Sequence, residues 1–247
     1  MRERTWPVVV AALSFLTAVP VARGTRLGER DLRRGVVLFP VVGAAVGAVV
    51  AAAAWGAAHL LPTFPAAILG VASGVAVTAA LHLDGLGDVA DGIGASLGGR
   101  EPVEAMRDPR LGTFGIAAVA LDLLLKSSLL AALVVEGFPW EVVAVGAISR
   151  AAPVALAWRL PYVGSGTGGW TDRMGPGATL AAFAIATAIS VPTAGLSTLG
   201  VVLAVVVVAF LVGAWSSRRL GGVTGDVFGA AVELGETAGL LAVVAWR

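Results

Sequence analysis

Seven stretches of this chain each run for about 20 apolar residues, the length a helix needs to cross the hydrocarbon core of a bilayer. They fall at 36–59, 66–83, 114–135, 141–160, 178–197, 199–216 and 228–246. Repetition of that unit along 247 residues leaves little chain for anything else. Only 13% of the residues are charged and the mean hydropathy is +0.90, so the polar surface of a water-soluble domain is missing. Expected is a single all-α domain over 1–247, a polytopic bundle of about seven transmembrane helices. Ala, Val and Leu dominate the spans and Gly contributes another 33 residues, which lets helix backbones approach closely in lipid. No cysteine is present, which excludes disulfides, thiolate metal sites and a cysteine nucleophile. A net charge of +1 without a basic stripe speaks against a nucleic-acid partner.

Arg2 and Arg4 precede a further apolar run, Pro7 to Ala22, interrupted by Pro20. A cleavable signal sequence has that outline, but the length and the proline suit an interfacial or re-entrant helix better. Orientation follows from the arginines. One set of connections carries Arg23, Arg26, Arg30, Arg33 and Arg34, then Arg100, Arg107 and Arg110, then Arg159 and Arg173, then Arg218 and Arg219. The alternate connections, 60–65, 136–140 and near 198, carry no arginine or lysine. Seven spans place every arginine-rich connection on one face, which the positive-inside rule makes cytoplasmic.

The longest polar connection, Asp84 to Thr113, opens with His82-Leu83-Asp84-Gly85-Leu86-Gly87-Asp88-Val89-Ala90-Asp91-Gly92. Asp84, Asp88 and Asp91 stand at i, i+4 and i+7, one stripe of a helix. Like charges so placed repel unless a cation or a proton compensates them. Oxygen ligands, no cysteine and one histidine suit Mg²⁺ (Mn²⁺ as an alternative) better than Zn²⁺, and Mg²⁺ commonly joins carboxylates to substrate phosphates. Capping or arginine pairing is the plain structural alternative. Next comes Arg107-Asp108-Pro109-Arg110-Leu111-Gly112-Thr113. Asp108 could complete a metal shell, and Arg107 and Arg110 could hold phosphate by forked hydrogen bonds or simply anchor the next span.

Charges also lie within the spans, where they are costly and normally face a partner or a polar cavity. Asp122 and Lys126, the sole lysine, are spaced i, i+4 in span three. Arg150 in span four has no local partner, which suggests a phosphate or the acidic stripe. Glu233 and Glu236 sit in span seven. The last arginine-rich connection ends in Gly221-Gly222-Val223-Thr224-Gly225-Asp226, a flexible polar lip in which Asp226 is placed to cap the final helix.

Several of these segments, in order, carry a resemblance. They are Phe15-Leu16-Thr17-Ala18-Val19-Pro20; Phe39-Pro40 with Gly43 and Gly47; His82 with Asp84 to Gly92; Arg107-Asp108 to Gly115; Lys126; Ser149-Arg150; and Gly221 to Asp226 with Gly229-Ala230, Glu233 and Glu236. The set resembles the cobalamin synthase family, the adenosylcobinamide-GDP ribazoletransferases. Leu83 departs from the pattern, standing where many relatives carry an acidic residue. The resemblance implies joining of α-ribazole, or its 5′-phosphate, to adenosylcobinamide-GDP with release of GMP, a divalent metal, and a place in the plasma membrane with the site facing the cytoplasm. Homo-oligomers or complexes with other cobalamin-biosynthesis enzymes are compatible with it.

On that reading Asp84, Asp88 and Asp91 hold the metal, and an aspartate or His82 takes the acceptor's proton. Arg107, Asp108, Arg110, Lys126, Arg150, Thr224, Asp226 and Glu233 line the substrate. Two rivals are weaker. A CDP-alcohol phosphatidyltransferase needs Ala-Arg soon after its Asp-Gly, where this chain has Gly87-Asp88. A secondary transporter gathers its polar groups at the midplane, often in repeated halves.

Overall fold

The computed structural model describes residues 5–164, 170–171 and 174–247; Arg2, Arg4 and Arg173 lie outside the described residues. Twelve α-helices and no strand occur among the described residues. A short apolar helix, α1 (Thr5–Leu16), is followed by α2 (Glu29–Gly35), which passes through a 3-10 turn at Val36–Leu38 into α3 (Phe39–Ala57). Then come α4 (Thr63–Thr78), α5 (Leu81–Leu97), α6 (Pro102–Met106) and α7 (Thr113–Val135). Span four is divided into α8 (Glu141–Ser149) and α9 (Ala152–Arg159), and α10 (Pro176–Ala194), α11 (Ser197–Leu220) and α12 (Gly225–Trp246) complete the chain.

Six helical runs are long and apolar enough to cross a membrane: 29–57, 113–135, 141–159, 176–194, 197–220 and 225–246. The seventh expected span, 66–83, differs. Its helix α4 stops at Thr78, and α5 leaves it at 92°. At 1.5 Å per residue the 16 residues of α4 reach about 24 Å, just short of the hydrocarbon thickness. The bend has a local cause. Ala79 and Ala80 both adopt left-handed conformations, φ 49° and 58°, and the Ala80 amide donates back to the Val75 carbonyl at 2.9 Å. That bond ties off the last turn of α4 in the manner of a Schellman motif. The polar connection expected from Asp84 to Thr113 is therefore largely helix.

Instead of descending, α5 runs across the end of the bundle. Gly85 lies against the backbone of Asp226 in the first turn of α12, Gly92 against Trp215 near the end of α11, and Gly115 at the start of α7 against Asp91. Each touches the arginine-rich end of a spanning helix. At the opposite end, Arg247 pairs with Glu136 in the arginine-free connection and with Glu141 at the start of α8. The two ends of α12 thus lie at opposite ends of the bundle. Trp55, Trp140 and Trp246 are exposed at that far end, a position that aromatic residues favour at a membrane boundary.

At the centre is α8. Val142 to Ser149 are all buried, as expected of a helix apolar all round and enclosed by protein. Its crossing with α3 is close because Gly43 and Gly146 face each other's backbones with no room for a Cβ on either. Pro153 then breaks the hydrogen-bond ladder between α8 and α9, and Arg150 lies at the break. The short helix α1 packs beside α2, with Gly35 against the Val8 carbonyl; it is too short to span.

Candidate functional site

Because α5 lies across the bundle, its acidic stripe meets three other elements. Asp84 is exposed, whereas Asp88 and Asp91 are half-buried. Gly85 packs so closely on Asp226 that a Cβ added to the glycine would stand 2.7 Å from the Asp226 carbonyl oxygen. That contact brings the α12 carboxylate to the stripe. Gly229 gives the same closeness one turn on, against His82. Burial pushes the Asp88 carboxyl up to about 7, and the negative charges of Asp226, Asp84 and Asp91 push in the same direction, Asp226 most strongly. The acidic patch is therefore Asp84, Asp88 and Asp226, drawn from two helices far apart in sequence.

Asp91 has a different task from the one its spacing suggested. Its Oδ2 accepts the Gly112 amide at 2.6 Å and its Oδ1 the Gly115 amide at 2.9 Å. Both amides belong to the start of α7, where no side chain of the helix itself supplies a cap. Asp91 is a cap delivered from another helix. Among the described residues no three His, Asp or Glu side chains already stand at metal-binding spacing, so the expected Asp84–Asp88–Asp91 triad is not preformed. Asp84, Asp88 and Asp226 are likewise not at ligand spacing, but they are an all-oxygen set of the kind a hard divalent cation takes. Burial first, and the neighbouring carboxylates second, raise the Asp88 carboxyl, so its charged form calls for a counter-charge. In donor chemistry the residues fit such an ion.

Other expected roles change for similar reasons. Asp226 does not cap α12; Thr224 does, accepting the Val227 amide at 3.4 Å and donating to Asp226 Oδ2 at 3.2 Å. The lip is pinned where Val163 and Val223 exchange backbone bonds with Val223 and Pro161, at 2.9 and 2.8 Å. Asp108 does not join the patch, because both its oxygens receive Arg110, at 3.1 Å from Nε and 3.1 Å from Nη2. That bond holds the Asp108 carboxyl below the usual range. Arg107 is exposed on the same loop. Arg100 and Arg110 line a polar pocket of about 300 Å³ with Asp91, Asp108, Thr113 and Phe114.

His82 was expected to exchange protons with an acceptor. It is 4% exposed, and burial, with Arg150 next, lowers its pKa to about 3. It is a neutral imidazole sealed behind the patch. Lys126, Arg150 and Glu233 were expected at the substrate, but they are buried inside the bundle. Lys126 Nζ lies 3.1 Å from Asp122 and 2.8 Å from Glu236 and pairs with Glu233; Arg150 pairs with Glu236; Thr237 donates to Asp122. The i, i+4 pairing of Asp122 with Lys126 is thus observed. Arg150 lacked a partner in sequence because that partner, Glu236, lies on another helix. This network joins α7, α8 and α12 beside a partly open cavity of about 60 Å³, room for a few waters. Charges so deep must be paired, and these hold each other.

Fold and site together define a polytopic helical membrane protein with a carboxylate patch across one end of its bundle. The chain belongs to the cobalamin-5-phosphate synthase family, whose model matches residues 8–244. It is similar to proteins named adenosylcobinamide-GDP ribazoletransferase from Roseiflexus (36% identity, 93% of this chain and 86% of the relative) and Azorhizobium caulinodans (36%, 96% and 94%). The protein of that name from Escherichia coli is 35% identical over 95% of this chain and 98% of its own length. No solved structure matches the chain.

Proposed function

We propose that this protein is an adenosylcobinamide-GDP ribazoletransferase of the cytoplasmic membrane, with its site on the cytoplasmic face. It would transfer the adenosylcobinamide-phosphate group to α-ribazole or its 5′-phosphate and release GMP. Family membership supports the activity. The observation that carries the site is the convergence of Asp84, Asp88 and Asp226 at the arginine-rich end. A ribose hydroxyl of the acceptor attacks the cobinamide-side phosphorus; the bond from that phosphorus to the oxygen bridging to GMP breaks, and GMP leaves with the oxygen. Asp84, Asp88 and Asp226 would hold Mg²⁺ or Mn²⁺, which supplies charge neutralisation at the diphosphate.

The rest falls to the chain itself. With His82 sealed, the hydroxyl proton passes to an aspartate of the patch. The pocket bearing Arg100 and Arg110 lies beside Asp91, where cationic side chains can meet the nucleotide half of the donor. Thr224 and the pinned lip fix Asp226 opposite α5. Purified protein in nanodiscs, given adenosylcobinamide-GDP and α-ribazole, should form corrinoid product and GMP in equal amounts, and EDTA should abolish both. Asp88→Asn should lose at least a hundredfold in rate at unchanged protein level. Near wild-type transfer by that variant would end the assignment of the patch.

A further inference from the structure

We infer that the pocket between α1, the start of α2 and Trp170 seats the planar base of the acceptor nucleoside; this rests on the transferase reading above. The pocket holds about 390 Å³, within the range of small-molecule sites, and Ser14, Phe15, Leu27, Glu29, Leu32 and Trp170 line it. Two of its walls are aromatic. Phe15 stacks on Phe39 at 5.4 Å and meets Trp170 edge-on at 5.5 Å. Ser14 contributes a buried hydroxyl with no hydrogen-bond partner among the described residues, although a helical serine can usually bond its own backbone. The hydroxyl is closed off as it stands, and a rotation about χ1 would be what brings it to the pocket surface. α-Ribazole carries a flat, largely apolar benzimidazole with one free ring nitrogen that accepts a single hydrogen bond. Aromatic walls and one hydroxyl donor complement it.

Position and charge separate this pocket from the donor's. Trp170 touches Phe228 at 5.5 Å, two residues beyond Asp226, and Ala18 after α1 bonds Val77 at the end of α4, beside the turn that launches α5. The pocket is thus linked to the end of α5 that carries Asp84 through Phe228 of α12 and through the α4–α5 turn. The arginine-lined pocket adjoins the other end, at Asp91. Among the described residues, the charged one lining the α1 pocket is Glu29, an anion that repels a diphosphate and can accept hydrogen bonds from ribose hydroxyls. Base at one end, nucleotide at the other and carboxylates between them match the order of groups in the reaction.

Ser14→Ala, Ser14→Leu and Phe15→Ala, assayed in nanodiscs, test the assignment. The KM for α-ribazole should rise about fivefold in Ser14→Ala and Phe15→Ala and more than tenfold in Ser14→Leu, which fills the pocket. The KM for adenosylcobinamide-GDP should stay within twofold. Phe15→Ala should also lose discrimination between α-ribazole and its counterpart without ring methyls. Both KM values moving together, or acceptor KM within twofold in both Ser14 variants, would overturn the inference. Equilibrium dialysis with 5,6-dimethylbenzimidazole alone keeps the two readings distinct. Binding by wild type, lost in Ser14→Leu, supports the pocket even if wild type transfers nothing and the transferase reading falls. A phospholipid retained in the pocket against saturating base, seen by native mass spectrometry, would refute it.

Discussion

Replacing Asp91 by alanine should fray the start of α7 while leaving the bundle assembled. The carboxylate holds two amides, one exposed at Gly112 and one buried at Gly115. A bond to a charged acceptor contributes about 1.5 kcal/mol where water is excluded and only about 0.5 kcal/mol where it is not. The loss is then about 2 kcal/mol, which corresponds to a ~30-fold rise in the opening of that turn. Hydrogen exchange followed by mass spectrometry on the peptide spanning Gly112 to Ile116 measures it directly, with the middle of α7 as an internal control. Asp91→Asn keeps one acceptor oxygen and turns an amide group toward the other N–H, so it should show at least half the free-energy loss, ~5-fold or more. Exchange within threefold of wild type in Asp91→Ala, together with abolished transfer, would refute the capping role and return Asp91 to the metal.

Lys126→Met strips the cation from two buried carboxylates, Asp122 and Glu233, and the half-buried Glu236, and should cost about 3–5 kcal/mol, seen as lost monodisperse protein and an early thermal transition by tryptophan fluorescence. A variant as stable as wild type would mean that the network is not formed. Gly43→Val or Gly146→Val has no space between α3 and α8, and size-exclusion profiles should show little folded protein; normal yields would contradict the crossing. Ala80→Gly relieves a left-handed alanine costing about 1–2 kcal/mol and adds unfolded-state freedom of about half that, so it should raise thermal stability slightly. A clear fall would show that the elbow is unstrained.

How much of the site could be read in advance depended on whether its partners were local. Asp84 and Asp88 lie four residues apart, so helical geometry alone put them on one face. The capping of α7 by Asp91 spans 21 residues, and nothing about an aspartate in a stripe distinguishes a cap from a ligand. Asp226 reaches Asp88 because Gly85 lacks a side chain, a signal present in the sequence but without a direction. Glu236 is 86 residues from Arg150, the difference of their numbers, so nothing near Arg150 in sequence points to the carboxylate it pairs with in the buried network. His82 had the pKa of a base until the bundle took its water away.

What the amino-acid order settled unaided was the helical membrane-spanning class and the place of six of the seven expected spans. The lipid imposes one length on every span and the arginines one face on every second connection, and neither constraint needs to know which helix is whose neighbour. Deciding which charges are available for chemistry required the packed bundle. A carboxylate or guanidinium in lipid takes whichever opposite charge or amide lies nearest in space, and which one that is depends on how α5 crosses α7 and α12.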